Sequence, residues 1–251
     1  MTILVTGSAG HLGEALVRSF REQGTPVRGF DRLHSELTDV VGSITDVPLV
    51  GEAMHGVEAV LHVATLHKPH VTTHSPQAFI DANVSGTEVL LQAASRAKVK
   101  AFVFTSTTSV YGDALVPPKG EPAAWVTEDT RQVPKNIYGV TKSAAEDLCA
   151  PAYRNYKLAC VVLRTSRFFP EADDDPVARD SYADANLKVN ELLHRRVDLE
   201  DVVTAHQRAL ERCADIGFAK FIISATTPFK PEDCAEIRRD LPGVLDRRVP
   251  G

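Results

Sequence analysis

Thr2-Ile3-Leu4-Val5-Thr6-Gly7-Ser8-Ala9-Gly10-His11-Leu12-Gly13-Glu14-Ala15-Leu16-Val17 is the stretch that decides the fold. Ile3 to Val5 form a short apolar run. Three glycines follow, then apolar residues at helical spacing, Leu12, Ala15, Leu16, Val17 and Phe20, until Gly24 stops the pattern. This is strand, tight turn, helix. Without Cβ atoms at Gly7, Gly10 and Gly13, an anion can come close to the backbone N–H groups of a helix end that carries partial positive charge. The spacing is G-x-x-G-x-x-G, which also admits a turn that serves packing alone, so context decides.

The pattern repeats along the chain. Val27 to Phe30 and Val57 to Val63 read as strands, Pro76 to Lys98 as one long helix, and Ala101 to Thr105 as a strand. A helix over Asn136 to Tyr156 and a strand over Leu158 to Leu163 follow. Strands apolar throughout and alternating with helices predict an α/β fold, a doubly wound parallel sheet of Rossmann type covered on both faces. After Arg164 the chain changes character: Pro170, Asp173 to Asp175 and Pro176 read as a loop. Helices are expected at Tyr182 to Leu193 and Glu200 to Cys213, a strand at Phe221 to Ile223 and a last short helix at Pro231 to Asp240. The expected division is a dinucleotide-binding part over 1–170 and a small substrate-binding part over 171–251, possibly shortened.

Twenty-eight Lys and Arg against thirty-three Asp and Glu give a net charge of −5, no footprint for nucleic acid. The four cysteines form no C-x-x-C pair, no apolar run reaches bilayer length, and no signal-peptide pattern precedes the glycine turn. The expectation is a cytoplasmic protein that starts at Met1, without membrane, nucleic-acid or metal partners.

Asp31 ends the second strand about twenty residues after the glycines, where a carboxylate can accept hydrogen bonds from the adenosine ribose hydroxyls and would repel a 2′-phosphate. It favours NAD over NADP; Arg32 beside it is the residue that could take a phosphate, and a solvated strand end is the plain alternative. Gly42 to Asp46, with Ser43 and Ile44, follows a third short strand and is placed to pass the adenine edge. Tyr138 and Lys142 in YGVTK lie i, i+4 on one helix face, where an ammonium favours the phenolate of its neighbour. An isolated Tyr-x-x-x-Lys is ordinarily an interface tyrosine and a snorkelling lysine. Here the preceding strand ends in the hydroxyls of Thr105 to Ser109, at the carboxyl end of a parallel strand where ligands bind.

With GSAGHLG, Asp31, His62-Val63-Ala64, Asn83-Val84-Ser85-Gly86-Thr87, FTSTTSVYG and YGVTK in this order, the chain resembles the extended short-chain dehydrogenase/reductase family over about residues 1 to 170. The resemblance is to its NAD-dependent epimerase/dehydratase branch, the group of UDP-glucose 4-epimerase. It implies catalytic roles for Thr107, Tyr138 and Lys142. It implies an NAD site made of Gly7, Gly10, His11, Leu12, Gly13, Asp31, Arg32, Ser43, Ile44, Val63, Ala64, Asn83 and Thr105 with Tyr138 and Lys142. His67, Thr107, Thr108 and Arg167 are the expected substrate contacts, and a nucleotide sugar the expected substrate. Relatives pair through the helices that carry Asn83 and Tyr138, which implies a homodimer. The family's dehydratases place an Asp-Glu pair after the catalytic threonine; Thr108 and Ser109 stand there, so dehydration is not expected.

Four readings stay open on residues alone. A net dehydrogenase or reductase acting on a small carbonyl or sugar acid would use the same residues, and a non-catalytic dinucleotide sensor would fit the short C-terminal part. His67, His70 and His74 form a substrate-facing or solvated loop rather than a metal set, since Pro69 breaks the helical spacing. Arg164, Arg167, Arg247 and Arg248 either grip a diphosphate or are solvated. Asp198 and Asp201 read as helix N-terminal carboxylates.

Overall fold

The structure is a computed structural model and describes residues 1–169, 180, 183–194 and 196–249. Seven parallel strands form one sheet: β1 (Thr2–Thr6), β2 (Val27–Asp31), β3 (Val40–Val41), β4 (Val57–His62), β5 (Ala101–Thr107), β6 (Cys160–Thr165) and β7 (Phe218–Ile223), in the order β3-β2-β1-β4-β5-β6-β7. The doubly wound parallel sheet is therefore as the sequence predicts. Strand order reverses beside β1, so the crevice between the carboxyl ends of β1 and β4 is where an open sheet of this kind takes a ligand.

The central strands are apolar throughout because both faces are covered. Leu4, Val60, Phe102, Phe104 and Val162 pack on one side with α2 (Val47–Ala53), α4 (Gly86–Arg96) and α5 (Ile137–Tyr156). Ile3, Val5, Leu61, Val103 and Val161 pack on the other with α1 (His11–Glu22) and α7 (Leu199–Ile216). The alternation is the two-residue period of a strand, and each large aliphatic side chain so buried contributes about 1.5–3 kcal/mol. Among the described residues no helix is long and apolar enough to cross a membrane.

Several bounds differ from the sequence expectation. The long helix is interrupted: α3 (Pro76–Phe79) runs through a π-helical turn, Ile80–Ser85, into α4, which ends at Arg96. β5 extends to Thr107, β6 starts at Cys160 rather than Leu158, and β7 starts at Phe218 rather than Phe221. α6 (Ala185–Leu192) is shorter than expected, while α7 is longer and is N-capped by Asp198, whose side chain accepts from Glu200 N. The last expected helix is a 3-10 turn, Pro231–Asp233, and α8 (Cys234–Ile237); α9 (Leu241–Arg248) and α2 were not foreseen. α7 and β7, from beyond residue 171, lie on the same sheet as the first six strands. The expected loop at Pro170, Asp173 to Asp175 and Pro176 and the expected helix start at Tyr182 lie outside the described residues.

Candidate active site

β1 ends at Thr6 and the chain turns at Gly7, with φ +78°. A Cβ on Gly7 would lie 2.8 Å from Ala64 N, and one on Gly13 would collide with the Gly7 carbonyl, so the protein's own packing demands both glycines. Gly10 differs. A Cβ there would meet only the Gly7 oxygen at 3.5 Å, an ordinary contact. Gly10 is exposed, stands at the N-cap of α1 and provides no side-chain cap. An uncapped helix end above an open glycine is a cradle for a pyrophosphate. His11 is half-buried at the first position of that helix, and Leu12 turns inward.

Asp31 closes the turn: Oδ2 accepts from Ala9 N at 3.0 Å and Oδ1 from Leu33 N at 2.9 Å. Each oxygen keeps a lone pair, so the carboxylate can hold the glycine turn and also receive ribose hydroxyls. Open cradle, helix end and carboxylate together fit the diphosphate and adenosine ribose of NAD. Arg32 is exposed next to Asp31. The Ser43 hydroxyl is 2.7 Å from that of Thr45, and the Ile44 side chain is buried in the core beneath Gly86. The N–H groups of Val63 and Ala64 both donate to Thr6 Oγ1 at 3.2 Å.

Those two donors fix the direction of a buried chain of hydrogen bonds. With two N–H groups on its oxygen, Thr6 gives its own proton to His62 Nδ1 at 2.8 Å; His62 Nε2 then donates to Thr87 Oγ1 at 2.9 Å, and Thr87 to the Asn83 carbonyl at 2.7 Å. Burial first, and Lys142 second, hold the His62 imidazole well below its usual range, so it is neutral. Thr87 takes the Asn83 carbonyl within the stretch where the helix widens to the π form, in which Gly86 N reaches back to Asp81 O. The Asn83 side chain is saturated: Oδ1 accepts from Leu66 N and Thr65 Oγ1, and Nδ2 donates to Leu66 O and Thr141 Oγ1. It clamps the turn after β4 to α5, one residue before Lys142.

Asn136 caps α5 by accepting from Gly139 N, and the first turns of that helix bring Tyr138 and Lys142 to the carboxyl end of β5. Both are buried. Burial pushes the Tyr138 phenol up to about 12, against a hydrogen bond with Thr107 that lowers it. Thr107, at the end of β5, also accepts from Ser109 N at 3.1 Å. Thr108, half-buried, opens the 3-10 turn beyond it. The Lys142 ammonium donates to the Thr105 carbonyl at 2.6 Å and lies 4.0 Å from the centre of the Phe104 ring. Burial lowers its pKa to about 7, with the Glu146 charge acting in the opposite direction. Tyr138, Thr107, Thr105 and Lys142 thus meet in one buried corner.

The expected substrate contacts are more scattered. His67 is exposed and caps the 3-10 helix Lys68–Thr72; its ring lies 4.4 Å from that of His70, which lies 5.1 Å from His74, and among the described residues no His, Cys, Asp and Glu side chains group as a metal site. Arg167 is exposed, beyond the end of β6, where its backbone bridges to Arg196. Arg164 corrects one expectation: it is neither a solvated surface group nor a diphosphate grip. It is buried against Glu146, at 2.8 Å, and donates to Tyr111 Oη and the Glu128 carbonyl. Burial pushes Glu146 up, but Arg164, Ser106 and Lys220 outweigh it and hold the carboxyl below its usual range. Arg247 pairs with Glu236 and Arg248 with Asp233 and Glu232. Sequence reasoning missed Glu146, His206 and the relay role of His62. For His62 and Thr87 the motif segments were a signal; Glu146 and Arg164 carried none, since no local spacing links a helix to a later strand. A cavity of about 710 Å³ opens between α2 and α4 beside the first residues of β4, away from this corner.

The chain is similar to known proteins over most of its length. The family described as "NAD dependent epimerase/dehydratase family" matches residues 3–223. A UDP-glucose 4-epimerase of Halalkalibacterium halodurans is 32% identical over 188 residues, 71% of this chain and 53% of that protein. A 3 beta-hydroxysteroid dehydrogenase/Delta 5-->4-isomerase of Mycobacterium tuberculosis is 38% identical over 118 residues, 43% of this chain and 32% of its own length. The aligned segments thus span about half or less of these curated relatives. A crystal structure of a short-chain dehydrogenase/reductase superfamily protein from Agrobacterium tumefaciens with bound NAD is 29% identical and superposes with a TM-score of 0.72 over 97% of this chain and 83% of that one.

Proposed function

Since the chain belongs to the NAD-dependent epimerase/dehydratase family, we propose that it is an NAD-dependent enzyme acting on a secondary alcohol of a nucleotide-linked sugar, with Tyr138 as acid and base. The observation that carries this reading is the buried corner itself, where the hydrogen-bonded hydroxyls of Tyr138 and Thr107 stand beside the Lys142 ammonium.

Gly7, Gly10, Gly13, the first turn of α1 and Asp31 would hold NAD, with Asn83 and Lys142 on the nicotinamide side; the cofactor supplies a hydride acceptor at the substrate carbon. Tyr138 rests protonated, because its phenol is pushed to about 12, and is therefore ready to give a proton to an oxyanion. In the oxidising direction Tyr138 takes the proton of the substrate hydroxyl, and the positive charge of Lys142 one turn along the helix lowers the cost of the phenolate. Thr107 Oγ1 hydrogen-bonds the reacting oxygen and keeps it within reach of Tyr138 Oη. Leu66 and Thr141, held by Asn83, fix α5 against the turn after β4, so the two halves of the site keep their distance.

His67, Thr108 and Arg167 are the proposed substrate contacts, with residues 171–251 supplying the substrate side and 1–170 the cofactor side. We further propose a homodimer through α3 to α5, where Ile80, Val140 and Tyr156 are exposed apolar residues, and a cytoplasmic setting, in keeping with four buried free cysteines. A second reading, net oxidation with release of reduced cofactor, is favoured by the 38% identity to a hydroxysteroid dehydrogenase. The two are separated by supplying UDP-glucose with a trace of NAD, following the anomeric protons by NMR and absorbance at 340 nm. Appearance of the C4 epimer without accumulating NADH supports the epimerase. NADH formed in proportion to substrate supports the dehydrogenase, and a chain that binds NAD but turns over no alcohol in a sugar and steroid panel is a sensor.

A further inference from the structure

Lys142 is received by a strand residue whose own anchor lies on the other side of the sheet. Phe104 and Thr105 follow one another in β5, so their side chains leave opposite faces. Phe104 turns toward α5, where its ring meets Lys142; Thr105 turns toward α7. β4 ends at His62, opposite Phe104, and one residue further along β5 the Thr105 carbonyl accepts from Lys142 Nζ at 2.6 Å. The Thr105 hydroxyl lies 2.7 Å from His206 Nε2, and His206 Nδ1 lies 2.8 Å from the Val202 carbonyl. A carbonyl only accepts, so Nδ1 carries the proton, Nε2 has the lone pair and Thr105 donates. His206 is fully buried, and burial lowers its pKa to about 4, which keeps it a neutral acceptor.

We propose that His206 is a positioning residue for Lys142: by fixing the Thr105 hydroxyl from the α7 face, it fixes the carbonyl that receives the ammonium on the α5 face. This rests on the assignment of Lys142 to the reaction. A buried hydroxyl left without its acceptor is costly, so in the absence of the imidazole Thr105 turns or the strand end moves, and the carbonyl moves with it. Among the described residues the other titratable groups around Lys142 are Tyr138, Glu146 and Cys149 on its own helix and His62 from β4. A carbonyl on an ammonium favours the charged form, so loosening that bond lowers the lysine pKa further.

The test needs neither substrate nor cofactor. In the full chain carrying 13C-labelled lysine, the Lys142 Cε resonance, assigned with Lys142→Arg, is followed against pH by NMR. His206→Leu and Thr105→Val are each expected to lower the Lys142 midpoint by about half a unit or more, the double variant no further than the larger single one. His206→Gln, which keeps an acceptor, and Thr105→Ser, which keeps the hydroxyl, are expected to restore it. If His206→Leu does not fold, Thr105→Val decides alone. An unchanged midpoint in Thr105→Val, whatever happens to the melting temperature, overturns the proposal. If the midpoint moves as expected while Lys142→Met leaves turnover of the enzyme intact, the linkage stands and the catalytic reading of Lys142 falls.

Discussion

The Arg164 guanidinium on β6 is met by the Glu146 carboxylate, the Tyr111 hydroxyl and a backbone carbonyl; the Lys142 ammonium, one turn before Glu146 on α5, is met by a carbonyl and an aromatic ring. Both cations are buried. One is neutralised and saturated with acceptors, which makes it a fastener between α5, β6 and the segment around Glu128. Among the described residues the other has no carboxylate in hydrogen-bond contact, and it is held near its titration point, a condition that costs stability and suits proton chemistry. The difference lies in the distance to a counter-charge: the guanidinium touches the Glu146 carboxylate and fastens the fold, whereas the ammonium feels that carboxylate only from one turn away.

Breaking the fastener should have the largest effect. Arg164→Met leaves Glu146 buried without its main partner and is expected to cost about 3–5 kcal/mol in urea unfolding. Glu146 is held below its ordinary value in the folded chain, so its contribution is present above that ordinary value and fades as pH falls through the folded one. Acid unfolding of the wild type should therefore steepen in that range, and in Arg164→Met it should begin at higher pH.

Lys142→Met sharpens the contrast by going the other way. It should abolish turnover and yet stabilise the fold by about 1–2 kcal/mol at pH 6. The lysine titrates near 7 when folded and near 10.5 when unfolded, so between those pH values the unfolded chain holds the extra proton and wild-type stability rises with pH. The gain from Lys142→Met is thus full below pH 7 and shrinks toward 10.5; a gain independent of pH would mean that the lysine charge is not what is being relieved.

The glycine turn carries the same contrast on a smaller scale. Gly13→Ala collides with the Gly7 carbonyl and should lower the melting temperature, whereas Gly10→Ala should leave it nearly unchanged and weaken NAD binding about tenfold, some 1.4 kcal/mol by calorimetry. Smallest of all, Asn136→Ala removes the cap of α5 and should cost about 1 kcal/mol, with kcat falling more than NAD affinity because α5 frays at the end that carries Tyr138.

The sequence was legible where chemistry follows local spacing. The glycines with Asp31, and Tyr138 four residues before Lys142, could be placed because one strand-turn-helix unit and one helical turn define their neighbours. The sheet was equally readable from the period of its apolar runs. Arg164 was misplaced because its partner Glu146 lies on a different element and nothing in either segment announces the pairing. The π-helical turn at Ile80–Ser85 escaped because it depends on Thr87 and on His62 from β4, not on helix propensity. α9 was missed because Leu241 to Arg248 is short and opens with Pro242 and Gly243, and it is held by ion pairs of Arg247 and Arg248 with residues near the start of α8.

Tyr138→Phe decides whether Tyr138 moves the proton in an NAD-dependent reaction, as proposed. With folding checked by circular dichroism and NAD affinity by calorimetry, the variant is predicted to bind NAD within about threefold of the wild type and to lose turnover by about 100-fold or more, the scale of a missing general acid and base. Turnover within a few-fold of the wild type in a folded, NAD-binding variant would contradict it.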